Sequence, residues 1–536
     1  MKKLVSFISS SNRAARRRLA RCAVSALLTT AIFALTTAIL APAALAQKLG
    51  GDLPTSSSSA DPVYPLKASA NNRYLVDQLN RPFLLVGDSP QHLITNLSPE
   101  GAAAFMADRQ RYGINALWID LLCIFTEASC NRDAKTYDGI EPFLHPGDIS
   151  TPNPAYFQRA DDMIHIAADH GMVVLLDPIE TVSWLKVLRK NGESKAFEYG
   201  KYLGNRFKDD PNVIWLHGND LQSWRNASDD NLVQAVARGI RSADANHIHT
   251  VELNYETSGS LEDSSWAPLI ELDAAYSYYP TYAQVLTEYD RKNFKPVFMV
   301  EANYEFENLE TGSGGSAQNL RRQEYWTMLS GAAGQLYGSR YTWQLEEGWE
   351  KKLDTPGAAQ LRYMRDLFVS RDWFDLIPDQ NHVVLTAGYD RFSCGIGQFA
   401  AYIGRDRSSL LARMYNRIRK YWGVGSISRN TCTTAARTSD GSLVIAYMPT
   451  ARPVTIDMSK LSGTATARWY GPTSDEYEDA KGSPFANNGS KEFIPPRPNK
   501  SGDPDWVLVL EAHQRSSQGN LSGWPPTAAP PISRHG

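Results

Sequence analysis

Two carboxylates stand out in this chain because each ends an apolar run. Asp220 follows Val213-Ile214-Trp215-Leu216-His217-Gly218-Asn219, and Glu301 closes Pro296-Val297-Phe298-Met299-Val300. In a parallel sheet such runs are buried on both faces, and the polar residue at the C-terminal end emerges where ligands bind. Two carboxyl groups delivered this way suit acid/base and nucleophilic work on one substrate, above all cleavage of a glycosidic bond. They lie 81 positions apart, close to three βα units of roughly 30 residues each. That spacing places them on strands four and seven, facing each other across a barrel mouth.

The elements that would carry them recur from Pro82 to about Gln344. Predicted strands are Phe83–Val86, Ala116–Leu121, Val173–Leu176, Val213–Leu216, Thr250–Leu253, Ala274–Tyr278, Val297–Val300 and Gln335–Tyr337. Ser98-Pro99-Glu100 and Asn153-Pro154 open helices between them, and Gly113 and Gly171 stop those helices. Eight βα units in roughly 250 residues are the size of a (β/α)8 TIM barrel. The alternative is a doubly wound open sheet, but no Gly-rich phosphate loop accompanies these strands. After a helical stretch from Gly357 to Phe374, the segments Leu443–Tyr447, Val454–Asp457, Thr466–Tyr470 and Trp506–Leu510 read as a C-terminal all-β sandwich. The basic stretch Arg405 to Tyr421 reads as a helical insertion. The expected division is a signal peptide over 1–46, a linker over 47–64, a catalytic barrel over 65–378, a β-sandwich over 379–512 and a disordered tail over 513–536.

The N-terminal expectation rests on a basic n-region (Lys2, Lys3, Arg13, Arg16, Arg17, Arg18, Arg21), an apolar run from Ala23 to Leu40, and Ala44-Leu45-Ala46 as a cleavage site. Removing those seven charges takes the formal net charge from −3 to −10. A mildly acidic protein that is secreted or periplasmic is a poor partner for nucleic acid or, after cleavage, for a membrane. An oxidising compartment permits disulfides among Cys123, Cys130, Cys394 and Cys432. Three pairings are open, and proximity in sequence favours Cys123 with Cys130 and Cys394 with Cys432.

Further polar and aromatic residues sit at or near strand ends. They are Asp88 and His92 around strand one, Trp118 and Asp120 on strand two, Glu180 after strand three and Asn219 beside Asp220. Tyr278, Tyr304 and Trp343 follow strands six, seven and eight. Rings beside convergent carboxylates suit carbohydrate, because sugar C–H faces stack on rings while hydroxyls need hydrogen bonds. An oligo- or polysaccharide is therefore the expected partner. Each of these residues also has a structural reading: Asp88 as a cap, Asp120 or His92 as a satisfied buried group. No His-Glu-x-x-His or Gly-x-Ser-x-Gly motif occurs. His247-Ile248-His249 precedes strand five and belongs at the stability face. Asp88, Asp120 and Asp177 at strand ends could hold a divalent ion, which keeps a metal-dependent hydrolase as an alternative. A barrel that binds carbohydrate or matrix without catalysis is another. The leading reading requires no metal and no cofactor.

Several motifs together resemble a known family. Leu85-Val86-Gly87-Asp88, Asn212-Val213-Ile214-Trp215 with Gly218-Asn219-Asp220, Val297 to Glu301 with Tyr304-Glu305, and Tyr337-Gly338 with Trp343 are similar to the apiosidase-like catalytic domain of glycoside hydrolase family 140. So are Ser370-Arg371-Asp372-Trp373 and Pro378-Asp379-Gln380. Tyr447-Met448-Pro449, Trp469-Tyr470-Gly471-Pro472 and Asp505 to Leu510 resemble the β-domain that follows it, often labelled a "putative collagen-binding domain". The resemblance runs from about 65 to 512. It implies a (β/α)8 barrel, with Asp220 as acid/base and Glu301 as nucleophile in a retaining hydrolysis of branched plant-type polysaccharide, apiose being the sugar released. The chain departs from the pattern in three places. Asn219 stands for the second glycine of Gly-Gly-Asp, Ser89-Pro90-Gln91-His92 for Thr-Ala-Trp, and Tyr278-Tyr279-Pro280 lacks a histidine.

Overall fold

The computed structural model describes residues 61–513, apart from 126–129, 131–132, 223–225, 255, 308–313, 406–408, 413 and 415–425. The expected signal peptide, most of the linker and the tail beyond His513 lie outside the described residues. Among the described residues no helix is long and apolar enough to cross a membrane.

Eight parallel strands form the centre: β1 (Leu85–Asp88), β2 (Ala116–Asp120), β3 (Val173–Asp177), β4 (Val213–Leu221), β5 (His249–Leu253), β6 (Asp273–Ser277), β7 (Val297–Glu301) and β8 (Gly334–Tyr337). They pair in the order β5-β4-β3-β2-β1-β8-β7-β6, and a short strand at Thr257–Gly259 runs antiparallel to β6. The longer helices between them are α1 (Pro99–Arg111), α2 (Pro154–Asp169), α3 (Thr181–Phe207), α4 (Ala227–Ala243), α5 (Thr281–Tyr289) and α6 (Ala317–Leu329), and α7 (Pro356–Val369) follows β8. Ser98 and Asn153 accept the backbone N–H groups of Gly101 and Ala155 at 3.1 Å each, and Gly113 and Gly171 adopt φ of +71° and +69° where α1 and α2 end. These are the caps that side-chain oxygens and left-handed glycines provide.

After β5 a single 3-10 turn, Ser260–Glu262, stands where an α-helix was expected. It closes the barrel by side-chain chemistry. The Ser260 hydroxyl donates to the Val251 carbonyl on β5 (2.6 Å) and accepts the Ala274 N–H on β6 (2.8 Å), and the Leu272 N–H reaches the His249 carbonyl at 3.2 Å. One hydroxyl thereby satisfies backbone groups that the missing ladder would leave exposed to an apolar interior.

Strand alternation sorts the side chains outside the bulges. Leu85, Trp118, Leu175, Leu216, Phe298 and Leu336 fill the barrel interior, while Val86, Leu117, Val174 and Trp215 face the helices. By the same period of two, Asp120, Asp177, Glu252 and Tyr276 point inward near the C-terminal ends of their strands, and Asp88 points outward.

The C-terminal region is a sandwich. A six-stranded antiparallel sheet (Leu376–Pro378, Thr434–Thr438, Leu443–Met448, Trp506–Ala512, Ala465–Gly471, Glu476–Asp479) faces a three-stranded one (Leu385–Ala387, Val454–Asp457, Ser490–Phe493). Val444, Met448, Ile456, Trp469 and Phe493 form the core between them. The other face of the larger sheet, with Ile445, Tyr447 and Val509, packs on the barrel helices, so both faces of Leu443–Met448 are buried. Tyr447 stacks on Tyr325 of α6 at 4.9 Å between centroids. Arg321 of α6, only 1% exposed, donates to both oxygens of Asp505 (2.9 and 2.8 Å), to Asp503 (2.7 Å) and to Gln360 (2.7 Å). Removing one partner of a buried ion pair strands the other without solvent. Arg321→Ala is therefore expected to lower unfolding free energy by about 3–5 kcal/mol in denaturant titration.

A helix lies just before the basic stretch Arg405 to Tyr421. The described helix there is α8 (Arg391–Arg405), because Gly397, Ala400, Ala401 and Gly404 give it a small face that fits against the barrel. Gly397 and Gly404 approach Tyr282 and Tyr279 more closely than a Cβ would allow. Most of the expected stretch beyond Arg405 lies outside the described residues. The disulfides are Cys123–Cys130 and Cys394–Cys432.

Candidate active site

Both opening carboxylates stand on bulged strand ends. On β7, Met299 pairs with Ala275, but the next residue of β6, Tyr276, pairs with Glu301. Val300 is the extra residue. Val297 and Met299 face outward, so unbroken alternation would send Glu301 to the helix side as well. The bulge re-aims it into the barrel. On β4, His217 pairs with Val251 and Leu221 with Leu253, leaving Gly218, Asn219 and Asp220 opposite Glu252 alone. These three adopt φ of +107°, +57° and +58°. A Cβ on Gly218 would meet the Glu252 carbonyl at 2.2 Å, so that position is restricted to glycine. Asn219 occupies a left-handed position that glycine prefers and asparagine tolerates. The departure from Gly-Gly-Asp therefore keeps the backbone path. Its Nδ2 is buried without a hydrogen-bond partner among the described residues, and its carbonyl accepts the Thr181 hydroxyl at 2.7 Å.

Glu301 is 9% exposed and held at both oxygens. Tyr278 donates to Oε1 at 2.5 Å and Tyr304 to Oε2 at 2.9 Å. Tyr304 is fixed in turn by the neighbouring loop. A Cβ on Gly338 would overlap its ring at 2.5 Å. Glu305, next in sequence, accepts from Tyr337 (2.5 Å), Thr355 (2.6 Å) and the Gly357 N–H (2.8 Å) at the start of α7. Burial and the nearby charge of Asp220 push the Glu301 carboxyl up to about 8, against the two tyrosine donors, which favour its anion. Two carboxyls that repel this strongly titrate as a pair and retain one proton to mildly alkaline pH. With that proton on Asp220 the repulsion disappears, and the tyrosines leave Glu301 as the anion.

Asp120 and Asp177 are register neighbours on β2 and β3. Trp118 donates its indole N–H to Asp120 at 3.0 Å, so this tryptophan is core and positioning group at once. Glu180 caps α3 through the Ser183 N–H at 2.8 Å. Burial, then the Asp177 charge, raises it to about 8; burial raises Asp177 to about 8, and burial followed by Asp177 and Glu180 raises Asp120 well above its ordinary range. Asp120 Oδ2, Asp177 Oδ2 and Glu252 Oε1 are buried without partners among the described residues. Such atoms are costly to bury unless something else meets them.

At the rim, His92 lies edge-on to Trp343 at 5.2 Å, and Trp343 donates to Glu307 at 3.0 Å. Burial lowers His92 to about 3, so it is neutral. Asp88 does not join this group. It faces outward to α1 and pairs with Arg109 at 3.3 Å, both nearly inaccessible. The expectation that Asp88 lines the site is corrected: it sits one residue out of phase with the inward face. The same fact dissolves the Asp88, Asp120 and Asp177 ion site, since Asp88 lies on the other side of the sheet. His249 is likewise outward, bonded to His217 at 2.9 Å, while His247 bonds Asp244 at 2.6 Å.

A sequence profile described as "Apiosidase-like, catalytic domain" matches residues 69–375, more than half of the chain. The chain belongs to the apiosidase-like glycoside hydrolases. A second profile, "Putative collagen-binding domain of a collagenase", matches residues 425–511 within the β-sandwich. A solved structure described as a glycoside hydrolase is 21% identical with a TM-score of 0.69, over 85% of this chain and 99% of that one. Another, a glycoside hydrolase family 5 protein from Bacteroides vulgatus, is 20% identical with a TM-score of 0.68, over 84% and 95%. At these identities the likeness is one of fold. The comparison with curated proteins gave no match.

Four residues of this apiosidase-like site escaped sequence reading. Glu252 accepts the Asp220 N–H through Oε2 at 3.2 Å. Tyr276 lies in register with Glu301, Gln91 contacts the Tyr304 hydroxyl at 3.4 Å, and Glu307 holds Trp343. Glu252 and Tyr276 carried a usable signal. Each shares parity with inward residues of its own strand, Thr250 and Ala274.

The neutral carboxyls have a consequence for stability. Asp177, Glu180 and Glu324 are each pushed up to about 8, with burial the leading cause. The folded state therefore binds more protons than the unfolded chain between about pH 4 and 8. Stability is fully present below the unfolded values and is lost as pH rises through the folded ones. The thermal midpoint is expected to fall by several degrees from pH 5 to pH 8.5; a rise over that interval would contradict the assignment.

Proposed function

We propose that the protein hydrolyses glycosidic bonds in a branched, plant-type polysaccharide outside the cytoplasm, with retention of configuration. The observation that carries this reading is the placement of half-buried Asp220 and buried Glu301 on bulged ends of β4 and β7, with both Glu301 oxygens held by tyrosines. In this scheme Asp220 protonates the leaving oxygen while Glu301 attacks the anomeric carbon to form a glycosyl ester. Asp220, now a carboxylate, then takes a proton from water, whose oxygen displaces Glu301. Tyr278 and Tyr304 keep Glu301 ionised and aimed before attack. Asn219, Asp120, Asp177 and Trp343 supply hydrogen-bonding groups and a ring for the sugar. The β-sandwich serves as a structural partner of the barrel, to which Arg321 and Tyr325 tie it.

A screen on pectic and hemicellulosic fragments, followed by NMR of the first product, tests the reading. The expected result is a released sugar whose initial anomer matches that of the substrate. Release of the opposite anomer, or no release from any fragment, would overturn it.

A further inference from the structure

Glu252 has no role in a two-carboxylate scheme, yet it lies at the centre of the site. It is 1% exposed, on the inward face of β5. Three β4 residues, Gly218 to Asp220, bulge around it alone. Its Oε2 accepts the Asp220 N–H at 3.2 Å, and the Gly218 Cα rides directly over its carbonyl. Asp220 has a left-handed φ of +58°, a conformation that costs a non-glycine residue of order 1 kcal/mol or more and needs support from its surroundings. The Glu252 hydrogen bond is that support.

Resting on the function proposed above, we propose that Glu252 is a positioning residue for the general acid: its carboxyl holds the Asp220 peptide in its left-handed bulge and thereby aims the Asp220 side chain at the leaving oxygen. The groups that face it come from every adjoining element. They are Asp177 on β3, Asp220 on β4, Tyr276 on β6, Glu301 on β7 and Tyr304 beyond β7. None is basic. Burial, then Glu301 and Asp220, drives Glu252 well above the ordinary carboxylate range, so the proton stays on it while the site works. Oε1, which has no hydrogen-bond partner among the described residues, is the oxygen left for that proton. A neutral clamp fits this place better than a charged one. An ionised Glu252 would add a second repulsion against the Glu301 anion that the reaction requires.

The clamp makes a prediction that depends on the leaving group. An acid displaced by about 1 Å loses on the order of 100-fold, but only where a proton must be delivered. The probes are the glycan cleaved in the screen above and the 2,4-dinitrophenyl glycoside of the sugar it releases, whose phenolate departs without protonation. Glu252→Ala is expected to lower kcat/KM on the glycan about 100-fold and on the dinitrophenyl glycoside less than about 5-fold. Glu252→Gln keeps a neutral group of the same shape. It is expected to stay within about 5-fold of wild type on both probes, with an unshifted alkaline limb of the pH profile. Equal losses on both probes in Glu252→Ala would reduce Glu252 to a packing role and overturn the proposal. So would a Glu252→Gln enzyme as slow as Glu252→Ala, because the charged form would then be the one needed. Near-normal glycan turnover by Glu252→Ala, with Asp220→Asn inactive, would remove this inference and leave the two-carboxylate reading intact. Full glycan activity in Asp220→Asn would remove both.

Discussion

Glu301→Gln is expected to lose about 10^4-fold or more of kcat on a susceptible glycan, with KM little changed and the thermal midpoint close to wild type. The magnitude follows from removing a nucleophile whose covalent step nothing else in the site replaces. Glutamine keeps the volume and one acceptor for Tyr278 or Tyr304, so the pocket has no reason to collapse. Because Glu301 is raised to about 8 partly by burial, the amide also removes a buried ionisable group and carries little penalty in stability. Azide can rescue this variant only by attacking the anomeric carbon directly in place of Glu301. In that case the glycosyl azide formed must have inverted configuration. A Glu301→Gln enzyme with half of wild-type activity would remove Glu301 from the chemistry.

Asp220→Asn is the second large effect, and its size depends on the substrate. Removal of a general acid and base costs about 10^2–10^4-fold. On a glycan with a poor leaving group both steps suffer. On a 2,4-dinitrophenyl glycoside the first step needs no proton, so the glycosyl-enzyme forms at nearly the normal rate and then accumulates, because its hydrolysis still needs a base. A burst of dinitrophenolate followed by slow turnover is the expected trace. An equal, uniform loss on both substrates would place Asp220 outside proton transfer.

The barrel was legible in the sequence because its strands are buried on both faces. Each predicted strand falls within about two residues of the observed one, except that strand four runs five residues past Leu216 through its bulge to Leu221, and the capping residues Ser98, Asn153, Gly113 and Gly171 act where the pattern places them. Asp220 and Glu301 were singled out by position alone. What the pattern did not contain is how they point inward. Strict alternation from Val297 sends Glu301 to the helices, and only the bulge at Val300 reverses it. Bulges depend on pairing between strands far apart in sequence, so a single strand read by itself does not reveal them. Asp88 failed for the complementary reason. Strand one was ended at Val86, which left Asp88 as a loop residue free to turn to the site, whereas the observed strand, Leu85–Asp88, includes it on the outward parity of Val86. Glu252 was passed over because it lies inside a strand rather than at its end. The missing helix after β5 was invisible too, since the Ser260 hydroxyl that closes the seam acts on backbone groups of two other elements.

Asn219 shows how a departure from a family pattern can be read physically. Its φ of +57° is the reason glycine is common at such a position, and asparagine satisfies the same constraint while adding a buried amide. The change therefore bears on recognition of the sugar rather than on the path of the chain that delivers Asp220.

The most direct test of the account is peptide mass analysis of Asp220→Asn quenched during the burst with the dinitrophenyl glycoside. The account predicts one glycosyl adduct, carried on the peptide that contains Glu301. An adduct on a different carboxylate, or turnover with no covalent intermediate and an inverted product, would contradict it.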